Sequence, residues 1–316
     1  LERTIDVSAV IPVFDEIESL PAFHRELMEA APTWTPGAFE IVYVDDGSTD
    51  GTPELLEKLH RENPDVVRVV TLRRNFGKSG ALSAGFRIAT GSIVVMLDAD
   101  GQDVPGEVGK LLERLETGAD MVGGWRHRRK DRPIKRWTSR WYNSVTRWLT
   151  GLPLHDFNTG MKAFRHEVVD EVPLYGEFHR FVPVLAHGLG FRVDEVEVQH
   201  RERLAGRSKY LSVTRFPKTL LDLVTVLFLT RFSERPVYLF GGLGMFLALL
   251  GGGAILYLVL IQQILGVGIG TRPLLQLGVV TLLVGVQFIG VGLIAALFRH
   301  MVAAREEPYR IRQTRP

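Results

Sequence analysis

Three apolar runs in the first hundred positions each close on acidic residues. Val7-Ser8-Ala9-Val10-Ile11-Pro12-Val13 leads into Phe14-Asp15-Glu16. Glu40-Ile41-Val42-Tyr43-Val44 leads into Asp45-Asp46-Gly47-Ser48-Thr49-Asp50, and Ser92-Ile93-Val94-Val95-Met96-Leu97 leads into Asp98-Ala99-Asp100. Between them, residues 19–31, 53–62 and 79–89 carry helical spacing, residues 66–72 read as a further strand, and a helix over 104–116 precedes a strand over 119–122. Strands alternating with helices predict β-α-β units and a mostly parallel sheet, whose C-terminal edge forms a binding crevice. Thr52 followed by Pro53 reads as a capping residue and a first-turn proline.

The pattern changes in the second half. Residues 125–147 are basic and rich in Trp, and residues 210–232 form a broad apolar stripe interrupted by Arg215, Pro217 and Lys218. That stripe is expected to lie in a membrane interface rather than in a core, because the next element is a span. Residues 237–265 and 274–298 are almost free of charge and exceed the roughly 20 apolar residues that cross a bilayer. Four segments are therefore expected: a catalytic domain over 1–209, amphipathic juxtamembrane helices over 210–235, a transmembrane hairpin over 236–298 and a tail over 299–316. Arg231 and Arg235 precede the first span and Arg299, His300 and Arg305 follow the second, whereas Arg272 alone marks the connection. The positive-inside rule then puts both termini and the catalytic domain in the cytoplasm, anchored to the inner membrane.

Composition narrows the chemistry. The 316 residues include no Cys, which excludes disulfides and thiol catalysis, and the net charge of +2 is too small to define a partner. Charged residues follow Leu1, and no secretory leader is expected. The basic cluster from Arg126 to Arg140 is local and balanced by acidic strand ends elsewhere, so nucleic acid is not an expected partner. Glycines at 241, 242, 244 and 251–253 permit close helix packing and a homo-oligomer through the membrane helices.

An isolated Asp-x-Asp is usually a plain turn. Here it shares a sheet edge with two other acidic strand ends, and on an extended backbone Asp98 and Asp100 would point to one face, where they can converge on a hard divalent cation. The ordered motifs at 11–16, 44–50, Arg74-Asn75-Phe76-Gly77-Lys78, Asp98-Ala99-Asp100-Gly101-Gln102, 156–165 and Gly206-Arg207-Ser208-Lys209-Tyr210 resemble the GT-A glycosyltransferases of family 2. The likeness is to polyprenyl-phosphate sugar synthases related to dolichol-phosphate mannose synthase in particular.

That resemblance implies an α/β, Rossmann-like nucleotide-sugar domain. It implies Pro12, Val13, Asp15, Glu16, Asp45 and Asp46 at the nucleotide, and Asp98, Asp100 and Gln102 as the catalytic site for Mg2+ or Mn2+ and the diphosphate. Arg126, Arg140 and Ser144 are implied at the acceptor phosphate, with Arg203, Arg207, Ser208 and Lys209 on a loop that closes over the phosphates. The implied reaction is inverting transfer of a hexose from UDP-glucose or GDP-mannose to a polyprenyl phosphate, with a lean towards UDP-glucose. The alternatives are a processive polysaccharide synthase, against which the absence of Gln-x-x-Arg-Trp counts, and a catalytically silent membrane scaffold. Asp156 and Asn158 are read as acceptor or sugar contacts or loop formers, the role of Lys78 is left open, and the histidines are taken as structural.

Overall fold

In a computed structural model the described residues are 5–127, 143–148, 150–174, 176, 178–201, 225, 228, 236–266, 268, 270 and 272–303. The chain divides into two compact units, Leu1–Val226 and Leu227–Pro316. The first is built on a seven-stranded sheet of order β3-β2-β1-β4-β6-β5-β7. Its strands are β1 (Val7–Val13), β2 (Phe39–Asp45), β3 (Val67–Thr71), β4 (Ile93–Met96), β5 (Met121–Trp125), β6 (Lys162–Arg165) and β7 (Val193–Glu197). β6 alone runs against its neighbours, pairing antiparallel with β4 and with β5. The others are parallel, as expected from alternating strands and helices.

β1 and β2 are apolar along almost their whole length because both faces are covered. Val7, Ala9, Ile11 and Val13 face a core shared with α1 (Leu20–Ala30) and α4 (Val108–Glu116), through Phe23, Leu27, Leu111 and Leu115. On the opposite face, α3 (Lys78–Ile88) approaches at Gly85, where a Cβ would stand 2.4 Å from Val10 and 3.0 Å from Val44. Close helix-to-sheet contact requires glycine there.

α2 (Thr52–Glu62) begins one residue earlier than the spacing indicated, with Gly51 at φ +88° as its cap. Thr52 is therefore inside the helix, and Asp50 does the capping by accepting from Thr52 N–H (3.1 Å) and Thr52 Oγ1 (2.6 Å). Two short helices, α5 (His166–Glu171) and α6 (Val182–Gly188), follow β6 in this unit. Glu40, buried at the start of β2, accepts hydrogen bonds from Ser8, Thr90 and Arg68. Burial would raise its pKa, but these bonds outweigh it and hold the carboxyl below its ordinary value.

The second unit is a hairpin of α7 (Pro236–Leu265) and α8 (Pro273–Ala303), both long and apolar enough to cross a membrane. Only 17% and 11% of their most apolar stretches are buried among the described residues, which leaves long apolar faces exposed. Gly244 and Gly251 do not face outward for a second copy. A Cβ on Gly251 would lie 2.5 Å from Leu282 N and 2.6 Å from Gly278 O, and one on Gly244 2.6 Å from Gly285 O. Both are spent on the hairpin itself, whereas Gly242, Gly252 and Gly253 meet nothing within 4 Å. The stripe at 210–232 lies outside the described residues except at positions 225 and 228, as does most of the tail.

Candidate active site

The ends of β1 and β2 are laced together by the residues expected at the nucleotide. Val13 carbonyl accepts from Asp46 N–H at 2.8 Å, while its side chain belongs to the core, so only its backbone is available to a ligand. Asp15 adopts φ +49°, which is uncommon outside glycine, and is held by Asp15 N–H to Ser48 Oγ and Thr49 N–H to Asp15 Oδ1, both 2.8 Å. Glu16 accepts from Ser19 Oγ at 2.5 Å and its N–H donates to Thr52 Oγ1, tying the start of α1 to α2.

Asp45 is fully buried. Its Oδ1 accepts from Ser48 N–H at 3.0 Å, but its Oδ2 is buried with no hydrogen-bond partner among the described residues. An orphaned buried carboxylate oxygen costs free energy unless a donor reaches it. Asp46 is used differently, accepting from Phe76 N–H (2.7 Å) and Gly77 N–H (2.9 Å) and so shaping the approach to α3. Burial raises its pKa, only partly countered by these bonds, and the neighbouring Asp45 raises it further.

The Asp98–Gln102 stretch is not extended. β4 ends at Met96, residues 99–100 form a turn, Gly101 takes φ +75° and Asp100 Oδ1 accepts from Gln102 N–H at 3.0 Å. The alternation argument for Asp98 and Asp100 therefore fails. The two are brought to one place by a turn, with Ala99 buried in the core between them. A third acid, Asp103, joins them: buried, it accepts from Asp98 N–H at 3.1 Å. Burial, then the charges of Asp98 and Asp100, push its pKa up to about 7. Lys78 Nζ forms a short ion pair with Asp98. Burial would raise the Asp98 pKa, but Lys78, aided by Lys162 and Arg126, holds it below its ordinary value.

These residues fit a hard divalent cation. The donors are carboxylate oxygens, the Lys78 ammonium already stands in as a cation on Asp98, and Gly160 leaves the space clear. A Cβ at position 160 would sit 2.5 Å from Asp98 Oδ2 and 2.7 Å from Asp103 Oδ2. Among the described residues no three His, Asp or Glu side chains converge as a complete metal cage. A Mg2+-type ion needs none, because it takes one or two carboxylates and completes its shell with phosphate oxygens and water.

Across β6 the charge is reversed. Arg126, just past β5 and partly buried, forks onto the buried Asp156 through Nε (2.7 Å) and Nη2 (3.1 Å). Burial would lower the Arg126 pKa, but Asp156 raises it above its ordinary value, with help from Asp103 and Asp98. Nη1 is not engaged by this fork, so a fixed guanidinium edge is left for an anion. Lys162, only 1% exposed, donates to Thr159 O; burial, then the charge of Lys78, push its pKa down to about 7. The loop carrying Asp156 is pinned from below: His155 N–H donates to Glu195 at 2.7 Å, and His155 stacks on Trp125 with centroids 4.2 Å apart. Ser144 is exposed on helical residues 143–148, beside Asn143, whose amide donates to His155 O at 2.8 Å.

Sequence reasoning missed Asp103, Gly160 and Lys162. The one visible signal was a lysine opening a short apolar strand in the motif at 156–165. His179, expected to be structural, bonds to Ser79 Oγ through Nδ1 at 2.9 Å. Arg140, Arg203, Arg207, Ser208 and Lys209 lie outside the described residues, together with Trp137 and Trp141, while Trp148 is 81% exposed.

A family model described as glycosyl transferase family 2 matches residues 8–173. Dodecaprenyl-phosphate galacturonate synthase of Rhizobium johnstonii is 37% identical over 303 residues, covering 93% of this chain and 88% of that protein. Undecaprenyl-phosphate 4-deoxy-4-formamido-L-arabinose transferase of Pseudomonas aeruginosa is 37% identical over 296 residues, covering 93% and 85%. Among solved structures, glucosyl-3-phosphoglycerate synthase from Mycobacterium tuberculosis with Mg2+ and uridine diphosphate superposes with a TM-score of 0.53 at 19% identity, covering 72% of this chain and 79% of that one. The same enzyme with Mn2+, uridine diphosphate and phosphoglyceric acid gives 0.53 at 18% identity, covering 72% and 78%. These structures share the fold.

Proposed function

The chain belongs to glycosyl transferase family 2 and is a glycosyltransferase, and from that premise we propose that it moves a sugar from a nucleotide sugar onto a polyprenyl phosphate, with inversion. The observation that carries this reading is the meeting of opposite charges at one sheet edge. An acidic turn at Asp98, Asp100 and Asp103 faces the guanidinium of Arg126, and each side shifts the other's ionisation. One half suits a cation and a diphosphate, the other a second phosphate.

A phosphate monoester has a second pKa of roughly 6 and is largely dianionic near neutral pH, so the acceptor oxygen needs no general base. It attacks the anomeric carbon as the bond from that carbon to the nucleoside diphosphate breaks. The new carbon–oxygen bond forms on the opposite face, and the nucleoside diphosphate leaves with the electron pair. Asp45 Oδ2 is available to accept a hydrogen bond from the donor's base. Asp98 and Asp100, with Gln102 beside them, would hold Mg2+ or Mn2+, which when bound neutralises charge on the departing diphosphate. Lys78 Nζ adds positive charge on the same side. Arg126, oriented by Asp156, presents its free edge to the acceptor phosphate, which the acids would otherwise repel. Ser144, Arg140, Arg203, Arg207, Ser208 and Lys209 are proposed to complete that phosphate's surroundings.

The hairpin has a physical purpose in this scheme. A long isoprenoid tail cannot leave the bilayer, so the enzyme must work at its surface, with the first unit proposed on the cytoplasmic side. The matched relatives are named for galacturonate and for a formamido-arabinose, so the lean towards UDP-glucose gains no support from them. The test is to incubate the enzyme with polyprenyl phosphate, Mn2+ and, in separate reactions, radiolabelled UDP-glucose, UDP-galacturonate, a UDP-aminopentose and GDP-mannose. Label should enter the lipid phase from one donor and only with metal. Transfer to water or to a growing polymer instead would refute the reading.

A further inference from the structure

The acidic turn has a mechanical weakness. Asp98, Asp100 and Asp103 lie within six residues, so three like charges share one turn, and inside it Asp103 accepts from the Asp98 N–H at 3.1 Å. Two of the intervening carbonyls, Gly101 O and Gln102 O, are held from outside the turn by one residue. Arg201 N–H donates to Gln102 O at 3.2 Å, and Arg201 Nε donates to Gly101 O at 2.5 Å. An antiparallel bridge between Asp103 and His200 brings the two segments side by side. The rest of the guanidinium is spoken for: Nη1 donates to Glu26 Oε1 at 2.9 Å, and Nη2 makes a second, short bond to Glu26 Oε2. Glu26 sits on α1 beside the buried Leu27, so the acceptor of this fork rides on a helix anchored in the core.

Resting on the proposed function, we propose that Arg201 and Glu26 are a positioning pair that fixes the turn bearing Asp98, Asp100 and Gln102 and so sets affinity for the donor diphosphate with its metal. Neither residue touches the reacting atoms. Glu26 holds the guanidinium in plane, and the guanidinium holds the turn against its own charge. Lysine could supply the charge at 201, but its three donors sit on one nitrogen and cannot span the plane from Gly101 O to both Glu26 oxygens.

The test uses the full chain in lipid nanodiscs and the variants Arg201→Ala, Arg201→Lys, Glu26→Ala and the double alanine. Mn2+-dependent binding of uridine diphosphate should weaken about tenfold in Arg201→Ala and in Glu26→Ala, the loss expected from one charge-assisted hydrogen bond. Arg201→Lys should fall between them and the wild type. The double variant should be no worse than Arg201→Ala, since each residue acts through the other. Donor KM should rise with acceptor KM unchanged, and the thermal midpoint should stay within about 4 °C of wild type. Without nucleotide, amide exchange at residues 98–103 should quicken in both single variants. Should Arg201→Ala not fold, Glu26→Ala decides alone. Unchanged nucleotide affinity, or donor and acceptor KM rising together with a matching loss of stability, overturns the pair as a positioning device. If wild type binds no nucleotide, the functional reading falls, and the exchange rates still judge the clamp: unaltered exchange at 98–103 overturns it.

Discussion

Gly160→Ala adds one methyl group where two carboxylates converge. Position 160 is not among the residues with positive φ, so alanine fits the backbone and the effect isolates the Cβ. That atom would lie 2.5 Å from Asp98 Oδ2 and 2.7 Å from Asp103 Oδ2. An unstrained non-bonded contact is about 3.5 Å, so the two oxygens must retreat by about 1.0 and 0.8 Å. Either retreat disturbs an existing contact. Asp98 is paired with Lys78, and Asp103 is buried and bonded to the Asp98 N–H. Metal–oxygen distances tolerate only about 0.2 Å, and a misplacement of about 1 Å costs on the order of a hundredfold in rate. Metal-dependent transfer to polyprenyl phosphate should therefore fall about a hundredfold, equivalent to about 2.7 kcal/mol of transition-state stabilisation. Calorimetric titration of uridine diphosphate should show the same loss with Mn2+ and little change without it. A Gly160→Ala enzyme that keeps metal-dependent affinity and rate within about threefold of wild type would show that the cation does not use this side of Asp98.

Asp156→Ala strands Arg126 in a buried position, so stability should drop by about 3–5 kcal/mol, read as a lowered thermal midpoint, and acceptor KM should rise more than donor KM. Lys162, with its pKa lowered to about 7, binds its proton less readily folded than unfolded, so stability should climb as pH rises from about 7 towards 10. The full span is worth up to about 5 kcal/mol, and Lys162→Met should flatten that rise in thermal melts recorded with chelator present. A slope surviving in Lys162→Met would assign it elsewhere. In the hairpin, Gly251→Ala should lower the melting point because its Cβ meets the α8 backbone, while Gly252→Ala should be neutral or gain up to about 1 kcal/mol from helix propensity. Equal effects at the two positions would disprove the packing contact.

The strands and their acidic ends were legible in the sequence because both depend on local pattern: apolar runs mark a sheet covered on two faces, and acids mark where each run leaves it. The two long apolar helices were legible for the same reason. What failed was the conformation of Asp98 and Asp100. A strand stopping at Met96 rather than Leu97, and a left-handed Gly101, are set by the Asp103 carboxylate and by Arg201, a hundred residues away. Lys162 was missed because a lysine at the head of an apolar strand, next to Ala163 and Phe164, marks its place but not its burial. The place of β6 between β4 and β5 was beyond reach too, since four residues fix neither partner nor direction. Likewise Thr52 looked like a cap until Asp50 was found in that role.

The reversal of β6 welds the two halves of the proposed catalytic edge to a single ladder. Because Met96 pairs with Lys162 and Gly123 with the same residue, the segment entering β6 arrives where β4 and β5 finish. Asp156 and Gly160 thus reach Arg126 and Asp98 from one short stretch of chain. Deleting or inserting one residue between 156 and 162 would shift the guanidinium seat and the cation seat together, so neither substrate's grip could be retuned there without disturbing the other.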